Sequence, residues 1–239
     1  MTSPSDLKQQ THYLVAGSEF PPESIAWFEI LKPGLTENDQ LAFAASNYNY
    51  RISVLYSKLS KLLSCDPWID ESVIFQAAAI LQAADALQNN SKMALLLAQF
   101  KPVDLSSLHV ISLFRAALLR LQHFLMQLLD HIAFHPQVDL TDIQLRRQKY
   151  IANTHLLSRE ILDGVPRGLG AEAKPQEPWV GSWADGMRFL FPLATVAWMP
   201  QGLREHRVQA MVRIRQFGLH LGIKLALECD PPPGRFNDQ

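Results

Sequence analysis

Leu105 to Phe134 reads LSSLHVISLFRAALLRLQHFLMQLLDHIAF. Leu108, Ile111, Phe114, Leu118, Leu121, Leu125, Leu128 and Ile132 recur at three- and four-residue steps, the period of one helix face. Val110, Leu113, Ala117 and Phe124 widen that face until apolar residues wrap most of the circumference. A helix apolar on most sides needs neighbours on most sides, so the stretch predicts a central, buried helix. His135-Pro136 ends it, because proline disfavours helical geometry in the residue before it. The fold class that follows is all-α, a single multi-helix domain built around this helix.

The flanking sequence repeats the same period. Upstream, Leu41, Ala44, Ala45, Tyr48, Ile52, Leu55, Leu59 and Leu62 form one face of a long helix, with Thr36 and Asp39 as a capping-box variant at its start. Asp66-Pro67 interrupts it, and Asp70 is placed to cap a second helix running to Asn89-Asn90. Downstream, a helix is expected from Leu140 to Leu162, stopped by Gly164 and Pro166. Residues 164–179 mix glycine, proline and charge, and read as a long loop of the kind that carries function. A helix from Trp183 to Met199, bent or broken at Pro192, and a final helix from Leu203 to Cys229 complete the set. No alternating strand pattern of useful length and no fixed-period repeat is present. The expected organisation is a flexible segment over 1–22, a helical domain over 23–229 and a disordered tail over 230–239, where three successive prolines exclude helix.

Bulk composition narrows the function classes. The chain has 239 residues, 48% of them hydrophobic and 19% charged, enough apolar surface for a sizeable core with room for a ligand pocket. Its net charge of −1 supplies no bulk attraction to nucleic acid or to anionic lipid. The first 20 residues contain no apolar run resembling a signal peptide, and the Phe189–Leu203 stretch is too short and too interrupted to span a bilayer. Two cysteines, Cys65 and Cys229, suit a reducing compartment better than a disulfide scaffold. An intracellular, cytoplasmic protein with neither nucleic-acid nor membrane partner is the expectation.

Motif chemistry is sparse. His131 and His135 are one turn apart, but without a third ligand or an H-E-x-x-H pattern they read as a solvated helix end, and no metal is expected. The aspartate-rich cluster of an ionising terpene cyclase is missing, as are G-x-S-x-G, a phosphate-binding glycine loop and G-x-G-x-x-G. Arg204, Arg207, Arg213 and Arg215 do not form one stripe at 100° per residue, so a solvated surface outweighs a nucleic-acid patch. Polar groups on apolar helices are the remaining candidates: Arg115 and His123 on the central helix, and Asp185 and Arg188 near Pro192. Their simplest role is pairing, Arg115 or Arg188 with Asp130 or Asp185, since an unpaired buried charge is costly. Their functional role would be hydrogen-bond donation to an apolar ligand walled by Tyr150, Trp183, Phe189 and Trp198, with the 164–179 loop as a lid.

The C-terminal stretch adds a resemblance. Gly186-Met187-Arg188-Phe189-Leu190-Phe191-Pro192-Leu193, Ala197, Arg207, Ile214-Arg215-Gln216-Phe217-Gly218 and Leu221-Gly222-Ile223-Lys224 resemble the end of the fungal-specific regulatory region of zinc binuclear-cluster transcription factors. There an L-x-x-P-L helix precedes a last helix ending in G-x-x-x-G-I, and Tyr150–Leu162 is similar to the helix before it. The resemblance extends over residues 36–229 and is concentrated at the C-terminal end. The DNA-binding module of that family needs six closely spaced cysteines, which this sequence lacks. Two expectations follow. One is a cofactor-free cyclase or isomerase of specialised metabolism, of pericyclic Diels–Alder type, that folds an apolar substrate and donates hydrogen bonds to it. The other is a non-enzymatic piece of a regulator that binds a small molecule or a partner protein. The apolar faces of the last two helices pack within the chain or, in a homodimer, against a second copy.

Overall fold

The computed structural model of the protein describes residues 30, 37–64, 70–89, 105–168 and 183–227. The 1–22 segment, the 230–239 tail, Thr36, both cysteines and loop residues 169–179 lie outside the described residues. Within them the protein is all-α, with no strand. The helices are α1 (Glu37–Ser64), α2 (Glu71–Gln88), α3 (Leu105–Ile132), α4 (Leu140–Gly168), α5 (Trp183–Ala197), α6 (Arg204–Leu221) and the short α7 (Lys224–Leu227).

Their limits follow from local chemistry. Asp70 caps α2 as expected, its carboxylate accepting the Val73 N–H at 2.9 Å. At the far end, Asn89 closes the helix by donating its backbone N–H to the Asp85 and Leu87 carbonyls. α3 stops at Ile132 and the chain turns through residues 133–138 before Asp139 accepts the Thr141 N–H and opens α4. α4 then runs past its expected stop, through Gly164 and Pro166 to Gly168. Ile161, Leu162 and Val165 are all buried there, and their packing outweighs the local breaking signals. α5 continues through Pro192 as one helix. α6, expected to reach Cys229, ends at Leu221 because Gly222 adopts φ 67° and ψ 25°, a left-handed cap. Gly218 is therefore a buried helix residue and Gly222 an exposed cap, and the two share no helix face.

Contacts gather these elements into two compact units. Unit 1 holds α1, α2 and residues 124–150. α1 buries two of its sides there, an apolar one that includes Ile52, Leu55 and Leu59, and a polar one of Ser46, Asn49, Ser53 and Ser57. Tyr48 donates its hydroxyl to the Leu87 carbonyl, and the Tyr56 and Phe124 rings meet edge-on with centroids 5.0 Å apart. Unit 2 holds residues 102–123 of the α3 region, residues 151–168 of α4, and α5 to α7. α5 packs on α6, and Phe189 and Phe217 sit fully buried in a core shared with Leu119 and Val165. Each phenylalanine contributes about 1.5–3 kcal/mol by leaving water. The expectation of a buried α3 holds along its length: Ile111, Leu113, Phe114, Leu119, Leu121, Leu125, Leu128 and Leu129 are all buried.

Candidate functional site

Charged and polar side chains of unit 2 converge on α3. Arg115 does not reach Asp130; its Nε lies 2.8 Å from Glu160 Oε2 on α4, and Nη1 donates to the Glu160 carbonyl at 3.5 Å. Asp130 instead pairs with Arg147, within unit 1. Both assignments correct the expected pairing of Arg115 with Asp130, since the sequence pattern does not encode which turns of α4 face α3. His123 Nδ1 lies 3.0 Å from Gln201 Oε1, and His155 Nε2 lies 3.2 Å from the Gln201 carbonyl. A carbonyl only accepts, so His155 carries a proton on Nε2. Two helices thus hold the turn between α5 and α6 through one glutamine.

His109, near the start of α3, meets Phe189 edge-on with ring centroids 6.5 Å apart. Burial, reinforced by the nearby Arg188 charge, lowers its pKa to about 4. Arg188 itself is on the exposed side of α5. Phe189 is a core residue, and Trp198, 45% exposed, stands in the turn just after the helix ends at Ala197. Trp183 and Asp185 belong to the first turn of α5, and their side chains lie outside the described residues. Tyr150 falls in unit 1, fully buried, where its hydroxyl approaches the Arg146 guanidinium without hydrogen-bond geometry. Burial and the Asp85 charge raise its pKa.

Arg146 is the centre of a separate cluster in unit 1. It donates to Asp142 at 2.8 Å and to Asp85 at 2.7 Å, and Lys149 reaches Asp85 at 3.0 Å. Burial pulls the Asp85 pKa upward, but the hydrogen bonds from Lys149 and Arg146 prevail and hold it below the ordinary range. Every member serves another, which is the pattern of a structural ion network.

Four oxygens in unit 2 make no hydrogen bond within the protein: Ser112 Oγ, Gln122 Oε1, Thr154 Oγ1 and Ser158 Oγ. Each residue is almost wholly buried. An unsatisfied buried polar atom costs roughly 1–3 kcal/mol, so these positions carry a demand for a hydrogen-bonding companion.

His109, His155, Glu160 and Gln201 were not singled out in the sequence, although a signal existed. His109, Ser112, Arg115, Gln122 and His123 fall within about 140° of one another at 100° per residue, a polar stripe on an otherwise apolar helix. Among the described residues no group of three or more metal-ligating side chains forms, and no helix is long and apolar enough to cross a membrane.

No protein-family model, curated protein or solved structure matches this chain.

Proposed function

We propose that this chain is a non-catalytic helical regulatory domain that works inside the cell by binding a partner, on a scaffold like the regulatory region of zinc-cluster transcription factors. The observation that carries this reading is the engagement of the candidate donors. Arg115 is neutralised by Glu160 at 2.8 Å, and His123 is spent on Gln201. A donor already held by a carboxylate has little left to polarise a substrate carbonyl, because the substrate would have to displace a charged partner with a neutral one. Two of the four residues that suggested a reaction, Arg115 and His123, therefore have partners within the fold.

The test is functional tethering. Fused to a heterologous DNA-binding domain, the chain changes transcription of a reporter, and the purified protein leaves the rate of polyene and dienophile cyclisation at its buffer value. Accelerated cyclisation with no reporter effect would overturn the reading.

The second reading, a cofactor-free pericyclic cyclase or isomerase acting on an apolar small molecule, is favoured by the four unpartnered buried oxygens. Thr154→Val separates the two. If a hydrogen-bonding ligand occupies that region, the substitution weakens its binding; if none does, the isosteric swap removes an unsatisfied hydroxyl and raises stability.

A further inference from the structure

A buried hydroxyl on a helix can turn back on its own backbone, as Thr195 does on the Phe191 carbonyl at 2.9 Å and Ser53 on the Tyr50 carbonyl at 2.7 Å. Thr154 and Ser158 of α4, both wholly buried, do not: their hydroxyls are bonded to nothing within the protein. Gln122 of α3 is almost as deeply buried, and its Oε1 is unbonded as well. Register brings the three together. Ser112 faces Gly164 and Arg115 faces Glu160, so within unit 2 the two helices run antiparallel, one step forward on α3 matching one step back on α4. Continued along the pair, that register sets Gln122 level with Thr154, and Ser158 is one turn further on. The next residue on each helix, His123 and His155, agrees with it, since both reach Gln201. Ser112 stands about 15 Å along α3 from Gln122 and belongs to a different level.

The three oxygens specify a ligand. Gln122 Oε1 only accepts, whereas the Thr154 and Ser158 hydroxyls can donate. One alcohol hydroxyl answers all of them, giving its proton to Gln122 and accepting from Thr154 and Ser158. Leu119 and Ile161, fully buried and three residues from Gln122 and Ser158, offer an apolar body a dry surface. No carboxylate, lysine or arginine is among these residues, so a charged ligand would lose its water without gaining a counter-charge. His123, His155 and Gln201, all partly exposed, adjoin Gln122 and Thr154 on the solvent side. We infer that Gln122, Thr154 and Ser158 form a site in unit 2 for a small neutral alcohol with a compact apolar body. The site gives the regulatory domain an effector and rests on that reading for its role in the cell; unlike the cyclase reading, it requires binding without turnover.

Methyl NMR of the full chain, with the Leu119 and Ile161 methyls as reporters, tests the inference with cyclopentanol and cyclopentanone. The two probes share ring and oxygen, but the ketone has no proton to give Gln122. Cyclopentanol shifts the reporters saturably, and cyclopentanone binds roughly tenfold more weakly or not at all, the scale of leaving a buried acceptor unpaired. Gln122→Leu removes the preference for the alcohol. Should that variant fail to fold, Thr154→Val and Ser158→Ala each delete one hydroxyl and weaken cyclopentanol severalfold. Equal binding of the two probes, binding of neither, or variants without effect overturns the proposal. So does a long-lived water signal at Ile161 that cyclopentanol leaves unchanged, since the oxygens would then hold water alone. If the tethered chain alters the reporter gene while neither probe binds, this site is wrong and the regulatory reading stands; alcohol binding without any reporter effect keeps the site and sinks that reading.

Discussion

Two glycines with different surroundings separate backbone cost from side-chain space. Gly222 has φ 67° with nothing near its would-be Cβ, so Gly222→Ala is opposed by conformation alone, at about 1 kcal/mol. Gly164 sits in the interior of α4 with only Ser112 Oγ at 3.7 Å from an added Cβ, an ordinary contact. Gly164→Ala therefore gains helix propensity, up to ~1 kcal/mol. Urea midpoints should move in opposite directions for the two variants; movement in the same direction would contradict one of the two backbone assignments. His109 makes a second prediction at this scale. Its folded pKa is about 4 against an ordinary 6.5, so between those values the unfolded chain binds the proton that the folded chain refuses. Stability should then be full above pH 6.5, fall through the window from 6.5 to 4, and lose at most about 3 kcal/mol over it. His109→Leu should flatten that part of the profile, as read by denaturation at a series of pH values.

At the level of elements, α2 shows how a single cap was legible and how it can be tested. Asp70 stands directly before an apolar-periodic run, and its carboxylate accepts from Val73. That backbone hydrogen bond is the main cause of its lowered pKa, so the cap contributes at neutral pH and fades as acid takes the group below its ordinary 3.8. Asp70→Asn keeps an acceptor without the charge and should remove this acid dependence. Asp70→Ala should lower the melting temperature at pH 7 and converge with the parent in strong acid. The element types were readable for the same reason as the cap: apolar period and capping chemistry act within a few residues. Two endings were not. α4 passes Pro166 because Val165 is fully buried, and α6 stops at Gly222 because that residue is left-handed; both facts depend on what packs nearby. The candidate site was legible only as residue types. The stripe from His109 to His123 was present in the sequence, whereas its partners Glu160, His155 and Gln201 are supplied by other helices whose facing turns no local pattern encodes.

Across the whole molecule, charge and apolar exposure act together. The chain carries 22 Lys and Arg against 23 Asp and Glu, with a pI near 6.7, so almost no net charge opposes association near neutrality. Phe134 is 92% exposed and Phe75 78%, which gives association an apolar driving force once repulsion is removed. Light scattering at low salt should therefore be high near pH 6.7 and change little up to pH 8.5, since the acids exceed the lysines and arginines by only one. The acid side should not mirror the basic side. Below pH 6.5 the rising positive charge separates molecules, but the folded state also begins to lose what neutral His109 contributes, and unfolding exposes more apolar surface. His109→Leu should lower the acid-side scattering by removing the destabilisation while leaving the net charge almost unchanged. Equal acid-side scattering in the parent and in His109→Leu would mean that the His109 proton is not coupled to folding.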